Sequence, residues 1–162
     1  MTDRLRLPEA LNETYEHAVI CTYSAGLPFY EQDLWRKLGR TRNRVVLADD
    51  IRLAEAFADA AHGGAPLRHL NVNYVAAPIT SPHAAHAKFI LLAGPDNGLL
   101  FVGSGNLGMD GYASQGELFC EYRISSDDNQ HLAAHSATPA VGTRRARSAR
   151  RDQGIHSGPR AL

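Results

Sequence analysis

The sequence predicts an α/β protein in which helices flank a mixed β-sheet. In the first half of the chain, apolar strand-like segments (18–23 and 44–49) alternate with helix-like segments. In the second half, strand-like segments follow one another from residue 86 to residue 124. The chain has 162 residues, of which 44% are hydrophobic, so it can bury one core. Strands that first alternate with helices and then dominate are typical of a mixed sheet covered by helices.

The predicted elements follow from hydrophobic period and from turn residues. The second predicted helix has Asp50 as its cap, and it stops near Gly63 and Gly64. An alternative is that Asp49 and Asp50 bind a metal ion, but capping is the usual role of an acid at this place. In chain order, the elements are a strand (18–23), a helix (29–38), a strand (44–49), a helix (51–61), three strands (67–77, 86–93 and 99–104), a glycine-rich loop with a short helical turn (105–116) and a strand (117–124).

The chain changes character after about residue 128. Residues 129–162 carry six arginines and one acid, and they contain almost no large apolar side chains. We therefore expect a folded domain over 1–128 and a disordered Arg-rich tail over 129–162. Two alternatives are a basic tail that contacts nucleic acid and a truncation or reading-frame change after about Asp128. The folded part carries more acids than bases, so bulk charge does not make it a nucleic-acid platform.

The sequence predicts a cytoplasmic location. No run of about 18 apolar residues is present, and the polar N-terminus lacks the apolar core of a secretory signal. We expect no membrane contact. Cys21 and Cys120 lie in apolar segments, and buried free thiols are favoured over a disulfide between them.

Two short polar motifs carry the chemistry. His86 and Lys88 are two residues apart on a predicted strand, so their side chains point to the same face. Ser104 and Asn106 follow the next strand, and a short hairpin brings that end close to His86. The two glycines beside Ser104 leave room for a ligand to approach the backbone. An imidazole, an ammonium, a hydroxyl and an amide together suit attack on a phosphodiester without a metal.

The pattern H-A-K (86–88) followed by G-S-G-N (103–106) resembles the H-x-K … G-S-x-N signature of the phospholipase D superfamily. Weaker similarity upstream extends the resemblance over roughly residues 15–124. It points to bacterial domains of the nuclease type that are attached to restriction or helicase systems. The resemblance implies a phospholipase D-like half-domain that acts on a phosphodiester substrate, more readily nucleic acid than phospholipid. It implies no cofactor and no metal.

The resemblance also implies residue roles. His86 would be the nucleophile that forms a phosphohistidine, or the acid that protonates the leaving group. Lys88 and Asn106 would bind phosphate oxygens, and Ser104 would support the phosphate or the histidine. A downstream carboxylate would hold the second imidazole nitrogen; Glu117 is our choice, with Glu121 as the alternative.

The chain departs from the family pattern in two ways. The aspartate that often lies five positions after the lysine is Ala93 here, and Asp96 is out of register. A complete site in this family takes two such motifs, and the sequence contains one. We therefore expect activity to require a homodimer or a missing second half.

Three other interpretations stay open. The first is a non-catalytic fragment that binds phosphate or nucleic acid through Lys88 and Asn106. The second is an inactive, folded remnant. The third is a metal site built from His83 and His86 with help from Cys120 or a glutamate, for which the spacing gives little support.

Overall fold

A computed structural model describes residues 15–38, 40–63, 65–112 and 117–125. The described residues form a six-stranded sheet in the order β3-β2-β1-β4-β5-β6. This confirms the predicted mixed sheet. The strands are β1 (His17–Thr22), β2 (Asn43–Asp49), β3 (Val75–Ile79), β4 (Phe89–Ala93), β5 (Asn97–Gly103) and β6 (Phe119–Ser125). The helices are α1 (Leu27–Phe29), a π-helical turn (Tyr30–Leu34), α2 (Trp35–Lys37), α3 (Asp50–His62) and α4 (Met109–Tyr112).

The directions of the strands place several strand ends along the same edge of the sheet. β1, β2 and β3 are parallel, whereas β4, β5 and β6 continue from β1 as antiparallel neighbours. The carboxyl ends of β1, β2 and β5 therefore lie at the same edge as the beginnings of β4 and β6. We call this the active edge. The predicted hairpin is present, because Phe89 pairs with Val102 and the amide of Gly103 donates to the carbonyl of Lys88 at 3.1 Å.

A row of apolar side chains crosses the sheet and forms the centre of the core. Ile20 pairs with both Val46 and Ile90, and Ile90 pairs with Phe101. All four are at most 1% exposed. Lys88 immediately precedes β4 and is also buried, and its carbonyl accepts from the amide of Gly103 at the active edge. The core thus ends where the polar motif begins.

Helix α3 begins at a cap one residue earlier than predicted. The cap is Asp49, whose carboxylate accepts a hydrogen bond from the amide of Arg52 at 3.3 Å. Asp50 is instead the first helical residue, and its carboxylate accepts from the adjacent amide of Ile51. The difference arises because β2 runs directly into α3, which leaves Asp49 as the residue with extended backbone at the junction.

The third predicted strand is wrong over most of its length. Only Val75–Ile79 forms β3, and residues 71–73 form a turn in which Asn71 has a φ of 56°. The preceding segment is held by Glu31, whose carboxylate accepts from the amides of Arg68 and His69 and from the hydroxyl of Tyr74. The alternation of apolar and polar residues over 67–74 is typical of a strand, but the hydrogen bonds to Glu31 stabilise a loop instead.

Smaller predictions have mixed outcomes. Both cysteines are free thiols; Cys21 is buried as expected, but Cys120 is exposed on the edge strand β6. Tyr30 is in the core, whereas Phe29 and Trp35 pack against it partly buried. No helix in the described part of the chain has the length and apolar composition that crossing a membrane requires. The predicted tail (129–162) lies outside the described residues.

Candidate active site

Lys88 is a buried cation whose partners are neutral. The residue as a whole is 8% exposed. The ammonium nitrogen lies 3.0 Å from Nδ1 of His86 and 3.1 Å from the carbonyl oxygen of His86, and it lies 5.8 Å from the centre of the Tyr23 ring. Within the described residues, no carboxylate forms an ion pair with it. A buried charge without a counterion is costly, so this position is suited to a bound anion.

His86 is exposed and is held between Lys88 and Tyr23. Its ring centre lies 4.8 Å from that of Tyr23, at an interplanar angle of 41°. An ammonium group can only donate hydrogen bonds, so in this contact Lys88 is the donor and a ring nitrogen of His86 is the acceptor.

Ser104 and Glu117 form a second polar pair at the active edge. The hydroxyl of Ser104 donates to the carboxylate of Glu117 and accepts from the amide of Leu118 at 3.1 Å. The amide of Ser104 donates to the carbonyl of Leu118 at 3.0 Å. The sequence predicted that Glu117 lies on the last strand, but in the structure it precedes β6. Among the described contacts, Glu117 reaches Ser104 and Glu121 reaches Arg123, so neither carboxylate holds His86 in this structure.

Asn106 is fixed by the loop that follows β1. Its side-chain oxygen accepts from the amide of Ser24 at 3.3 Å, which leaves the amide nitrogen of Asn106 available as a donor. The next residue is anchored as well. The amide of Leu107 donates to Thr22 Oγ1 at 2.9 Å, and the carbonyl of Leu107 accepts from Gly26. Asn106 is thus positioned by the residues next to Tyr23, the ring that contacts His86.

The glycines around Ser104 serve protein packing, which corrects the prediction that they admit a ligand. A Cβ added to Gly103 would lie 2.7 Å from Cε1 of Phe119, and one added to Gly105 would lie 3.0 Å from Cζ of the same ring. Gly103 therefore allows the Phe119 ring to close over the hairpin end, and Gly105 mainly allows the close approach of the Gly111 backbone. The neighbouring cleft opens on the other side of this loop, beside Asn106.

A cleft of about 570 Å³ opens beside Asn106 and Glu117. Its wall includes Ser24, one face of α3 from Arg52 to Ala60 and the loop before α4. Arg52 lines it and also donates through Nε to the hydroxyl of Tyr23 at 3.0 Å. Arg52 therefore links the wall of the cleft to Tyr23, the ring that contacts His86.

Sequence reasoning missed Thr22, Tyr23, Asp49 and Arg52 as residues of this region. Thr22 is fully buried yet polar, and Asp49 accepts from the amide of Ala85, next to His86, at 3.0 Å. That hydrogen bond is the largest cause that lowers the pKa of Asp49, and burial opposes it. A polar residue at the end of each buried strand was the available signal. Across the described residues, no three His, Cys, Asp or Glu side chains are grouped as metal ligands, and the proposed ligands His83 and Cys120 form no such group.

Comparison with solved structures identifies the fold. NucT from Helicobacter pylori has a TM-score of 0.52 and 12% sequence identity, over 80% of this chain and 80% of NucT. A histidine-to-alanine variant of yeast tyrosyl-DNA phosphodiesterase has a TM-score of 0.50 and 17% identity, over 71% of this chain and 27% of the yeast enzyme. This chain thus spans about a quarter of the yeast protein's length. No protein-family model and no curated protein sequence matches it significantly. The described chain has a phospholipase D-like fold.

Proposed function

We propose that this phospholipase D-like chain carries one half of a metal-independent phosphodiesterase site that acts on nucleic acid. The observation that supports this most strongly is the buried ammonium of Lys88, which has neutral partners among the described residues and contacts the imidazole of His86. A phosphate at the active edge supplies the missing counterion. The names of the similar structures, one of them a tyrosyl-DNA phosphodiesterase, favour a nucleic-acid substrate.

The first chemical step uses the exchange of one hydrogen bond. When a phosphodiester binds, Lys88 turns from His86 to a phosphate oxygen, because a charged acceptor is a stronger partner than a neutral imidazole. The released ring nitrogen of His86 then attacks phosphorus and forms an N–P bond. The alcohol on the opposite side leaves and takes a proton from an imidazole of the second half-site. Water then cleaves the phosphohistidine, which returns the free imidazole and a phosphomonoester.

Three other side chains complete the half-site. The free amide nitrogen of Asn106 donates to a phosphate oxygen, and Ser104 supports that phosphate while Glu117 holds Ser104. Donors fixed before the reaction stabilise the charge that develops on phosphorus oxygens, typically by a few kcal/mol each. The role of Glu117 as a partner of His86 stays a prediction. The second half comes from another copy of this chain or from a segment outside it.

A non-catalytic role in phosphate binding is the second candidate. The contact between Lys88 and His86 also favours this role. It places an ammonium group, and not a carboxylate, against Nδ1 of His86. In catalytic sites a carboxylate commonly orients the imidazole through its second nitrogen, and among the described residues His86 has no such partner. In that role, Lys88 and Asn106 bind a phosphate that is never cleaved.

The test is turnover of bis(p-nitrophenyl) phosphate and of a labelled oligonucleotide by the full chain in excess EDTA. We expect cleavage that His86→Ala reduces by at least about a hundredfold, the scale of acid–base and nucleophilic contributions. His83→Ala is the matched control, because this exposed histidine lies three residues away and should not change the rate. Specific activity should rise with protein concentration if two copies form the site.

Two results would contradict the enzyme. Equal rates in the wild-type chain and in His86→Ala would remove His86 from the chemistry. Absent turnover at every concentration, together with salt-sensitive oligonucleotide binding that Lys88→Met weakens, would favour the binding role.

A further inference from the structure

We propose that Arg52 binds a second phosphate, the one next to the scissile phosphate in a nucleic-acid strand. The inference rests on the proposed function and narrows its substrate to a strand that carries an additional phosphate on one side of the scissile bond. Arg52 is absent from the H-x-K and G-S-x-N motifs, and it lies in the first turn of α3.

Tyr23 is the point where Arg52 meets the candidate site. The carbon at the centre of the Arg52 guanidinium lies 5.2 Å from the centre of the Tyr23 ring, and the ammonium of Lys88 lies 5.8 Å from the same centre. The His86 ring also packs on this tyrosine. One aromatic ring thus separates the cation for the scissile phosphate from a second cation. Cation–π contacts of this kind hold a guanidinium in place while its free edge remains available.

The guanidinium of Arg52 keeps donors for a ligand. Nε donates to the hydroxyl of Tyr23 at 3.0 Å, and Nη1 contacts Glu55 at 2.7 Å. An arginine has five N–H donors, so these two contacts leave several unused. The side chain is 43% exposed, and the Glu55 partner is also exposed, so the ion pair is weak and can yield to a phosphate. A planar guanidinium fits two oxygens of a phosphate at once.

The cleft beside Asn106 shows where the second phosphate goes. Arg52 is the one lysine or arginine among the described residues that line this cleft of about 570 Å³. Its volume suits a ligand of nucleotide size. The wall of the cleft also carries Glu55, which pairs with Arg52, and Asp59 and Asp110, and these acids disfavour further phosphates. The cleft therefore suits one additional phosphate beside Tyr23 rather than a long polyanion.

The experiment measures binding, so it does not require turnover. The full chain with His86→Ala binds three ligands in turn by calorimetry: a thymidine dinucleotide, the same dinucleotide with a 5′-phosphate, and the same with a 3′-phosphate. We expect one of the phosphorylated ligands to bind about tenfold tighter than the plain dinucleotide, as one charge-assisted contact allows. Adding Arg52→Gln should bring that ratio of dissociation constants close to one. Arg52→Lys should retain part of the preference, because it keeps the charge without the planar fork.

Matched controls separate charge from folding. Arg42→Gln removes the same charge from an exposed position before β2, at the opposite edge of the sheet, and should keep the full preference. Tyr23→Phe removes the acceptor of Arg52 but keeps the ring, so it tests whether the hydroxyl alone fixes the guanidinium. Thermal melts of each variant check that it is folded, and Arg52→Lys stands in if Arg52→Gln does not fold.

The outcomes distinguish this inference from the proposed function. A preference that persists in Arg52→Gln, no preference in the starting chain, or no binding of any dinucleotide overturns the role of Arg52. Turnover that depends on His86 without any Arg52 preference overturns only this inference. An Arg52-dependent preference in a chain without turnover overturns only the catalytic proposal.

Discussion

The carboxylate of Asp49 accepts a hydrogen bond from the backbone amide of Ala85 at 3.0 Å, across 36 residues of sequence. Asp49 ends β2 and caps α3, whereas Ala85 directly precedes His86. The contact therefore ties the segment that carries the candidate nucleophile to the helix that carries Arg52. The positions of His86 and Arg52 relative to each other therefore depend on this hydrogen bond.

Asp49→Asn should lower stability in a pH-dependent way. Because the Ala85 amide lowers the pKa of Asp49 below 3.8, the carboxylate stabilises the folded state fully above pH 3.8. That stabilisation is lost as the pH falls through the lowered folded-state pKa. Melting temperatures of the wild-type chain and the variant should thus differ at neutral pH and converge in acid. Asp50→Asn is the control, since Asp50 lies in the same turn and, among the contacts of the described residues, accepts from the adjacent amide of Ile51. A difference that stays constant down to the acid limit would contradict the assignment.

Thr22→Val should destabilise the loop that carries Asn106. The hydroxyl of Thr22 donates to the carbonyl of Ser24 at 2.8 Å and accepts from the amide of Leu107 at 2.9 Å. Thr22 is fully buried, so valine would leave that amide without a partner, at a cost of about 1–3 kcal/mol. Urea denaturation measures the change. Thr22→Ser keeps the hydroxyl and should lose only about 1 kcal/mol for the missing methyl group. Equal losses in the two variants would refute this explanation.

Gly111→Ala should displace Asn106 and reduce phosphate binding. A Cβ at Gly111 would lie 2.6 Å from the backbone nitrogen of Asn106, so the loop has to move. Overpacking of this kind costs about 1–3 kcal/mol, and a small displacement of a binding group lowers activity strongly. Gly108→Ala is a matched control three residues away, because no atom lies within 4 Å of its added Cβ. Denaturation and oligonucleotide binding of both variants test the prediction. Intact binding in Gly111→Ala would show that Asn106 is not needed at its present position.

Lys88→Met should weaken phosphate binding without lowering stability. Lys88 is buried with neutral partners among the described residues, so an apolar side chain of similar length removes an uncompensated charge. We expect an equal or higher melting temperature and at least about a tenfold loss of oligonucleotide affinity, as for one charge-assisted contact. Lys37→Met, at an exposed helical position, should change neither quantity. A large loss of stability in Lys88→Met would mean that the ammonium supports the fold rather than a ligand.

The sequence predicted the elements whose pattern is local. The apolar runs before Asp49 and after Lys88 are long enough to specify strands, and turn residues between Ala93 and Gly98 specify the hairpin. The segment before β3 was wrongly predicted to be a strand. Glu31, which is distant in sequence, determines its conformation by accepting hydrogen bonds from its amides. The position of Glu117 relative to Ser104 likewise depends on pairing between β5 and β6, which no local pattern encodes.

The sequence predicted the two motifs of the candidate site, but it did not predict the neighbouring residues that contact them. His86 and Lys88 are in contact, but both lie just before β4 (Phe89–Ala93) and not on the strand that the sequence predicted over 86–93. Tyr23 and Arg52 were missed because their contacts join three distant segments through an aromatic ring. Such contacts leave no spacing signal in a single sequence.

The most direct test of the central claim is to trap the covalent intermediate on His86. The full chain is mixed with an oligonucleotide that carries a label on the scissile phosphate, quenched in base within one turnover, and digested for mass spectrometry. We expect a base-stable, acid-labile phosphoramidate on the peptide that contains His86, and none in His86→Ala. Cleavage by the wild-type chain with the label on any other residue, or with an equal label in His86→Ala, would contradict it.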